Sequence, residues 1–334
     1  MRLGFLRNPN SLKNRKDGPD FAAAARQRLG SRFAEPAHAR NLAPALADFA
    51  EQGVDLLVID GGDGVVHRVA TALPQAFGAV RPKLIVLPSG NTNLVANDVG
   101  WNCRGLPALD AICALADSSG PVQIKRRASL DVHWLDGVHH PVSGLFFGAG
   151  AFTKGADFAH GRTYVKNVTH DAAVAGAIFA SFARAYAARK IWMAGDEMLV
   201  APDNGPAQDG RHFLFMASTL DRLIFGIKPF WDESGAHLRY LDIVAHPKNL
   251  IPAAACILWG RIPKWLRRHH DFRSGGAPRV ALTLNTRFFL DGETYAPGPS
   301  GQIELRAGPM LEFVVPQGTH TNDVPQGTQK DKAP

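Results

Sequence analysis

The sequence predicts an α/β fold in which a doubly wound parallel sheet is followed by a β-rich, sandwich-like second domain. Short apolar runs alternate with helix-forming segments through residue 100, which is typical of a parallel sheet. Two of these runs end in glycine-rich turns, and from residue 122 the apolar runs become shorter and more alternating. We therefore expect domains over 1–121 and 122–316, with a disordered polar tail over 317–334.

The elements of the first domain follow from runs of β-branched and aliphatic residues and from the helix-forming stretches between them. Gly53 is placed as a helix C-terminal residue before the second strand. The expected strands cover 3–6, 56–59 and 84–87, and the expected helices cover 22–29, 43–51, 65–73, 94–100 and 106–116.

The second domain is expected to be built mainly of strands, with two helices inserted between them. One helix is long and alanine-rich, and the other is both apolar and basic. The expected strands are 122–125, 129–134, 140–147, 213–218, 239–245, 280–284, 288–290, 302–306 and 310–315, and the expected helices are 164–189 and 252–268.

Composition fits a folded chain of 334 residues, with 46% hydrophobic and 20% charged residues. The net charge of +7 favours anionic partners, but nucleic acid is excluded from our expectations because no helix-turn-helix, zinc or aromatic RNA-binding pattern accompanies the charge. Cys103, Cys113 and Cys256 are too few and too scattered for a disulfide framework, so we expect buried thiols in a reducing compartment.

The chemistry-bearing stretch of the first domain is the strand at 56–59 together with the turn Gly61-Gly62-Asp63-Gly64. Glycines permit close backbone approach, so that peptide N–H groups and the start of the next helix converge on a phosphate. A second turn, 88–93, repeats this logic after the next strand. One such turn is more often a plain strand-to-helix connection without a ligand, but two in tandem indicate a phosphate site at the carboxyl ends of the strands.

These two turns resemble those of the diacylglycerol kinase catalytic family, lipid kinases that share their fold with sphingosine kinases and NAD kinases. Two further motifs carry the resemblance, Asn8-Pro-Asn-Ser11 after the first strand and Asp291-Gly-Glu293 late in the chain. The resemblance spans roughly residues 1–315. It implies an ATP- and Mg²⁺-dependent kinase that phosphorylates a lipid hydroxyl, diacylglycerol-like by default, in a cleft between the two domains.

The resemblance also implies roles for individual residues. Asp63 would lie close to the metal, and Asp291 would act as the base, with Glu293 as its partner or as a metal contact. Without the resemblance, Asp291 and Glu293 read as an exposed β-turn. The nucleotide-binding residues implied in this way are Asn8, Ser11, Gly61, Gly62, Asp63, Gly64, Gly90, Asn91, Thr92 and Asn93.

Several positions depart from the family pattern inside the glycine loops. Val65 stands where relatives have threonine, and His67 and Arg68 replace asparagine and glutamate. In the second loop, Asn91 replaces a threonine and Leu94 an aspartate. The family's aspartate-rich magnesium segment is also missing from 225–241. These departures motivate an alternative, a catalytically impaired nucleotide- or lipid-binding protein on the same fold.

A soluble NAD kinase is a third reading, but it does not account for the apolar and basic segment 257–270. The tryptophans and cations of this segment suit the boundary of an anionic membrane, or else a packed helix with a solvated basic end. Phe225, Phe230 and Trp231 beside Lys228 are candidates for the border of the lipid cleft, although core packing is the more common role of a single aromatic residue. The expected location is cytoplasmic, peripheral at the inner membrane face, because neither a signal peptide nor a transmembrane span is recognised. A homodimer is left open.

Overall fold

The structure, a computed structural model, describes residues 1–154, 193–231 and 234–316. The helix expected over 164–189 and the tail expected over 317–334 lie outside the described residues.

The first domain is organised around four parallel strands in the spatial order β2-β1-β3-β4. Two of them are almost entirely apolar and lie between layers of helices, as expected for strands buried on both faces. The strands are β1 (Leu3–Arg7), β2 (Phe33–Ala34), β3 (Leu56–Gly61) and β4 (Lys83–Pro88).

Helices cover both faces of this sheet, so it is doubly wound. They are α1 (Gly18–Leu29), α2 (Leu42–Glu51), α3 (Asp63–Phe77), α4 (Leu94–Val99) and α5 (Gly105–Asp117). Residues of α1 and α5 pack with Leu56 and Val58 of β3, whereas residues of α2, α3 and α4 pack with Leu57 and Ile59. Alternate side chains of one strand thus enter two separate cores.

The second part of the chain is mainly antiparallel. Its ladder runs β14-β13-β7-β9-β8-β12-β15, with β10 and β11 branching from β9, and β5 and β6 from β15. Two short helices, α6 (Leu250–Leu258) and α7 (Lys264–Arg267), precede β11. The strands are β5 (Gln123–Trp134), β6 (Val142–Gly144), β7 (Phe146–Gly150), β8 (Asp196–Pro202), β9 (Gln208–Ser218), β10 (Arg239–Val244), β11 (Phe272–Gly276), β12 (Arg279–Leu284), β13 (Phe288–Leu290), β14 (Glu293–Tyr295) and β15 (Gln302–Val315).

A long antiparallel ribbon of β5 and β15 joins the two parts of the sheet. Its far end enters the first domain, where Phe313 of β15 pairs in parallel with Leu84 of β4. Phe313 and Val314 are fully buried there, on opposite faces of the parallel sheet. The division into 1–121 and 122–316 stays a prediction, and the last strand nevertheless contributes to the core of the first domain.

Several expected element boundaries are wrong. The strands expected at 122–125 and 129–134 form one strand, and so do 302–306 and 310–315, which a bulge between Ala307 and Met310 only bends. The expected strand 140–147 is divided into β6 and β7, and β2, β8, β11 and β14 were not anticipated. The helix expected over 252–268 is broken, because Gly260 takes φ +66° and Pro263 directly precedes α7.

Within the described residues, none of the helices has the length and apolar character needed to cross a bilayer. The three cysteines form no disulfide, as expected, but each is only partly buried, so the expectation of buried thiols is wrong.

Candidate functional site

The two glycine loops touch through their backbones at the carboxyl ends of β3 and β4. A Cβ atom placed on Gly90 would lie 2.4 Å from the Cα of Gly62, and one placed on Gly62 would lie 3.0 Å from the Cα of Gly90. Any side chain at either position would force the loops apart. The structure therefore brings the two predicted loops together at one edge of the sheet, where parallel sheets bind ligands.

Asp63 holds the second loop in place although it belongs to the first. It lies in the first turn of α3, and its two carboxylate oxygens accept hydrogen bonds from the backbone N–H groups of Leu94 and Val95, both at 3.0 Å. These are orphan donors at the start of α4. Asp63 therefore caps α4, not the helix that contains it, and couples the two loops directly.

Asn93 shapes the second loop from inside. Its φ is +51°, and its side chain closes a local ring, in which Oδ1 accepts from the Gly90 N–H at 2.7 Å and Nδ2 donates to the Gly90 carbonyl at 3.1 Å. Asn93 is buried, whereas Asn91 is exposed and Thr92 partly exposed. Of the predicted nucleotide contacts in this loop, the side chains of Asn91 and Thr92 are the accessible ones.

The turn after β1 adjoins both loops. The Asn8 N–H donates to the Asp60 carbonyl at the end of β3, and the Lys13 N–H donates to the Ser89 carbonyl at the start of the second loop. Ser11 is buried, and its N–H donates to the Asn8 carbonyl at 3.2 Å. The predicted residues Asn8 and Ser11 thus belong to a turn that borders the site, and the contacts of this turn are made by backbone groups.

A buried charged network under the three loops was not anticipated from the sequence. Arg7 is only 3% exposed and pairs with Asp17, Glu35 and Asp60, while the Ser89 hydroxyl donates to Asp60. Burial raises the pKa of Asp60, and the Ser89 hydrogen bond and the Arg7 charge oppose that shift. The available sequence signal was a charged residue, Arg7 or Asp60, at the end of each of two otherwise apolar runs. The structure pairs these two residues in register.

The Asp291-Gly292-Glu293 turn of the second part reaches the same place. The Glu293 Oε1 atom would lie 3.2 Å from a Cβ on Gly64, and the Asp291 carbonyl oxygen 3.6 Å from it. Asp291 and Gly292 have φ of +44° and +98°. A tight left-handed turn therefore brings β13 and β14 over the first glycine loop, and the site is formed by both parts of the chain.

Asp291 itself is 1% exposed, so it does not form the exposed turn that its dipeptide suggests in isolation. Its Oδ2 and Oδ1 atoms accept from the backbone N–H groups of Leu145 and Phe146 at 2.7 and 2.9 Å, between β6 and β7. Desolvation, aided by the nearby charge of Asp63, raises the pKa of Asp291 well above its ordinary value. The pKa of Asp63 is also raised by desolvation, which outweighs its backbone hydrogen bonds.

Glu293 is the more accessible carboxylate of the turn. Its side chain is 36% exposed, and its Oε1 pairs with Arg68 of α3 at 2.6 Å. Arg68 is one of the departures from the family pattern. The guanidinium thus neutralises the carboxylate that lies over Gly64, and this contact joins α3 to β14.

The neighbouring departure, His67, forms a second link between the same two elements. His67 Nδ1 lies 2.9 Å from the Ser143 carbonyl oxygen, which can only accept, so Nδ1 carries the proton and Nε2 accepts from the Tyr295 hydroxyl at 2.6 Å. Desolvation lowers the pKa of His67 to about 4. His67 is therefore neutral near pH 7 and acts as a buried connector behind the site.

Other predicted candidates are less closely connected to the loops. Phe225 is exposed, with φ +57°, and Phe230 and Trp231 pack against core residues. His269, His270 and Asp271 place their ligand atoms within 4.8 Å of one another, the one such group among the described residues. It precedes β11 and adjoins none of the glycine loops in sequence.

The site formed by the two glycine loops and the Asp291-Gly292-Glu293 turn, here called the cleft, fits a divalent cation of the Mg²⁺ type. Asp63, Asp291 and Glu293 supply carboxylate oxygens, the ligands that Mg²⁺ prefers, beside backbone N–H groups suited to phosphates. The pKa of Asp291 is raised in part by the charge of Asp63, and a bound cation would relieve this repulsion. The metal role of Asp63 and the catalytic roles of Asp291 and Glu293 stay predictions.

Glycine loops at the strand ends, closed by an acidic turn from a second β-rich part, define a two-part α/β protein. Residues 2–123 match the family model of the diacylglycerol kinase catalytic domain. Among curated proteins, "Probable lipid kinase YegS" of Escherichia fergusonii is 40% identical over 84 residues. That alignment covers 25% of this chain and 26% of the relative.

Solved structures extend the similarity of fold to nearly the whole chain. A Bacillus anthracis strain Sterne structure, provisionally described as a diacylglycerol kinase, has a TM-score of 0.60 at 15% identity and covers 93% of this chain and 96% of its own. A second structure from that strain, described as a diacylglycerol kinase, has a TM-score of 0.56 at 16% identity and covers 93% and 96%. The predicted two-part α/β architecture is confirmed.

Proposed function

We propose that the protein is a lipid kinase that transfers the γ-phosphoryl group of ATP to a lipid hydroxyl, with a diacylglycerol-like acceptor. The observation that carries the proposal is the convergence at Gly64, where an acidic turn of the second part faces the glycine loops of the first. The match of residues 2–123 to the family model and the lipid kinase relative support the same chemistry. The acceptor itself is chosen by the resemblance alone.

In this proposal the backbone carries most of nucleotide binding. N–H groups of the loop at Gly61–Gly64 bind phosphate oxygens, and Asn91 and Thr92 of the second loop offer accessible side chains beside them. The Gly90 N–H donates to Asn93 Oδ1 instead, so Gly90 contributes the close approach of the two loops. Asp63 fixes the spacing of the loops through its contacts with α4. Mg²⁺, held near Asp63 and Glu293, would neutralise charge developing on the transferred phosphoryl group.

The acceptor hydroxyl needs a carboxylate to take its proton, and the turn offers two. The sequence assigns this role to Asp291, whose raised pKa gives it the greater basicity. Access supports Glu293 instead, because Asp291 is 1% exposed and both its oxygens accept backbone hydrogen bonds. We therefore propose Glu293 as the group that meets the acceptor and Asp291 as the residue that positions the turn.

A specific observation also favours the alternative, a nucleotide- or lipid-binding protein without turnover. Each of the three cleft carboxylates is already engaged, Asp63 and Asp291 by backbone N–H groups and Glu293 by Arg68. Such a protein would bind ATP without transferring phosphate. The two functions differ in one product, so a single assay separates them.

The test is to incubate the purified full chain with γ-labelled ATP, Mg²⁺ and a panel of lipids in mixed micelles. We expect label in a chloroform-extractable product with diacylglycerol, and loss of that label in Glu293→Gln. Asp63→Asn tests the nucleotide-binding loops in the same assay, because it removes one of the two carboxylate oxygens that accept hydrogen bonds from the second loop. ATP binding by calorimetry without labelled lipid from any acceptor would establish the binding-only alternative.

A further inference from the structure

Helices α6 and α7 and their connection form a surface, here called the 250–270 surface, that exposes large apolar side chains. Ile251 is 63%, Leu258 52%, Trp259 79% and Trp265 40% exposed. These four belong to one continuous stretch of chain. Soluble surfaces seldom concentrate such side chains without a partner that covers them.

The same segment has an ordinary buried face, so the exposure is not that of an unpacked segment. Ala253 and Ile257 of α6 and Leu266 of α7 are buried in a core cluster with Phe213, Leu241 and Phe272. Between the helices Gly260 takes φ +66°, which turns the chain at the position where Trp259 projects outward. The sequence left open whether this segment is a packed helix or an interfacial one. The structure shows two short helices that share one buried face and one exposed face.

The charge of the surface is of one sign. Arg261, Lys264, Arg267 and Arg268 are all exposed, and none of the residues 250–270 is acidic. Tryptophan and aliphatic side chains flanked by cations match the layers of an anionic bilayer, where indoles lie at the headgroup level and cations meet lipid phosphates.

We infer that the 250–270 surface docks the protein on an anionic lipid bilayer, with Trp259, Leu258 and Ile251 entering the headgroup boundary. A second copy of the chain is the poorer occupant, because a two-fold interface would place the same four cations against each other. The inference goes beyond the proposed kinase activity and does not depend on it, since vesicle binding is measured without ATP or turnover.

The test is co-sedimentation of the full chain with phosphatidylcholine vesicles that contain or lack phosphatidylglycerol, at low and high salt. EDTA is present, so that His269, His270 and Asp271 cannot bridge to lipid through a metal. Binding should require the anionic lipid and fall as salt rises. Each basic residue near an anionic surface is worth about fivefold in affinity, so Lys264, Arg267 and Arg268 changed together to Gln should weaken binding roughly 100-fold.

A matched triple, Arg40→Gln, Arg81→Gln and Arg222→Gln, removes the same charge from elsewhere on the molecule. We expect this control to weaken binding far less than the surface triple. Equal losses in the two triples would overturn the inference, because net charge and not this surface would then drive binding. Wild-type protein that ignored anionic vesicles would overturn it directly.

The insertion of tryptophan side chains into the bilayer is measured separately from the effect of charge. Vesicles with brominated acyl chains should quench the fluorescence of Trp259 and Trp265, whereas Trp101 and Trp134 are buried within the protein. Trp259→Phe combined with Trp265→Phe should remove most of the quenching. Quenching unchanged by these substitutions would overturn the inference, as would a dimer in sedimentation velocity that dissociates in Trp259→Ala without any vesicle binding.

Discussion

The cleft and the 250–270 surface differ in how their side chains are held. In the cleft, the carboxylates of Asp63 and Asp291 bind backbone N–H groups that are 31 and 146 residues away in the chain. On the surface, Trp259 and its neighbours belong to one short segment and project into solvent. The contacts in the cleft form only when distant parts of the chain have folded together. The exposed side chains of the 250–270 surface are presented by two short helices that are neighbours in sequence.

This difference predicts how variants behave. A cleft substitution removes contacts that hold distant elements together, so function and stability should fall together. A surface substitution removes an exposed side chain, so binding should change without loss of the fold.

The largest effect is expected for Asp291→Ala. The change leaves the N–H groups of Leu145 and Phe146 buried without an acceptor, at about 1–3 kcal/mol each, and adds strain at a positive φ. We expect the free energy of unfolding to fall by about 4 kcal/mol in urea titrations. Asp291→Asn keeps one acceptor and tolerates the left-handed backbone, so it should lose less than half as much.

The pH dependence of Asp291 gives an independent check on the same pair of variants. Its folded pKa is raised, so its contribution to stability is present below the unfolded pKa of about 4 and is lost as pH rises through the folded pKa. Wild type should therefore lose stability relative to Asp291→Asn as the solution is made less acidic. A difference between them that does not vary with pH would contradict the buried carboxyl.

His67 should produce the opposite dependence. Its folded pKa of about 4 lies below its unfolded value, so its contribution is present above about pH 6.5 and is lost as pH falls through about 4. The shift corresponds to roughly 3 kcal/mol. We expect the wild-type stability to decline across this range more steeply than that of His67→Gln, and the imidazole signals in NMR to titrate near pH 4. Titration near 6.5 would show that the connector is solvated.

A smaller effect is expected for Arg68→Gln. Both partners of the Arg68–Glu293 pair are more than a third exposed, so the free energy of unfolding should change by less than about 1 kcal/mol. The freed Glu293 carboxylate should attract Mg²⁺ more strongly, lowering the half-saturating Mg²⁺ concentration by about threefold. Arg126→Gln, which breaks an exposed pair with Glu312 on the β5–β15 ribbon, is the control and should leave the Mg²⁺ dependence unchanged.

The smallest stability effect is expected on the 250–270 surface. Trp259→Ala should change the free energy of unfolding by less than about 0.5 kcal/mol, since the residue is 79% exposed. Leu266 of the same surface is fully buried, and Leu266→Ala should cost about 3 kcal/mol. Similar losses for these two residues would mean that the outward face is packed, and the contrast between the two regions would disappear.

The first domain was largely predictable because its signals are local. The parallel strands are apolar runs, each helix follows its own turn, and glycines mark the loops that need close backbone approach. The predictions for the strands at 3–6, 56–59 and 84–87 are confirmed within one or two residues. The antiparallel part was predicted less well, because strands such as β8 and β11 are defined by their partners and not by their own composition.

At the site, local sequence signals are enough to predict which residues lie at strand ends and in turns, including Asp63, Asn93 and the Asp291-Gly-Glu293 motif. The contacts of each side chain, by contrast, depend on how the whole chain packs. Asp63 caps a helix that begins 31 residues later, Asp291 holds a strand junction 146 residues earlier, and Arg68 meets Glu293. Turn propensity acts between near neighbours in the chain, whereas the partner of a buried carboxylate depends on which backbone groups the packed fold leaves without an acceptor.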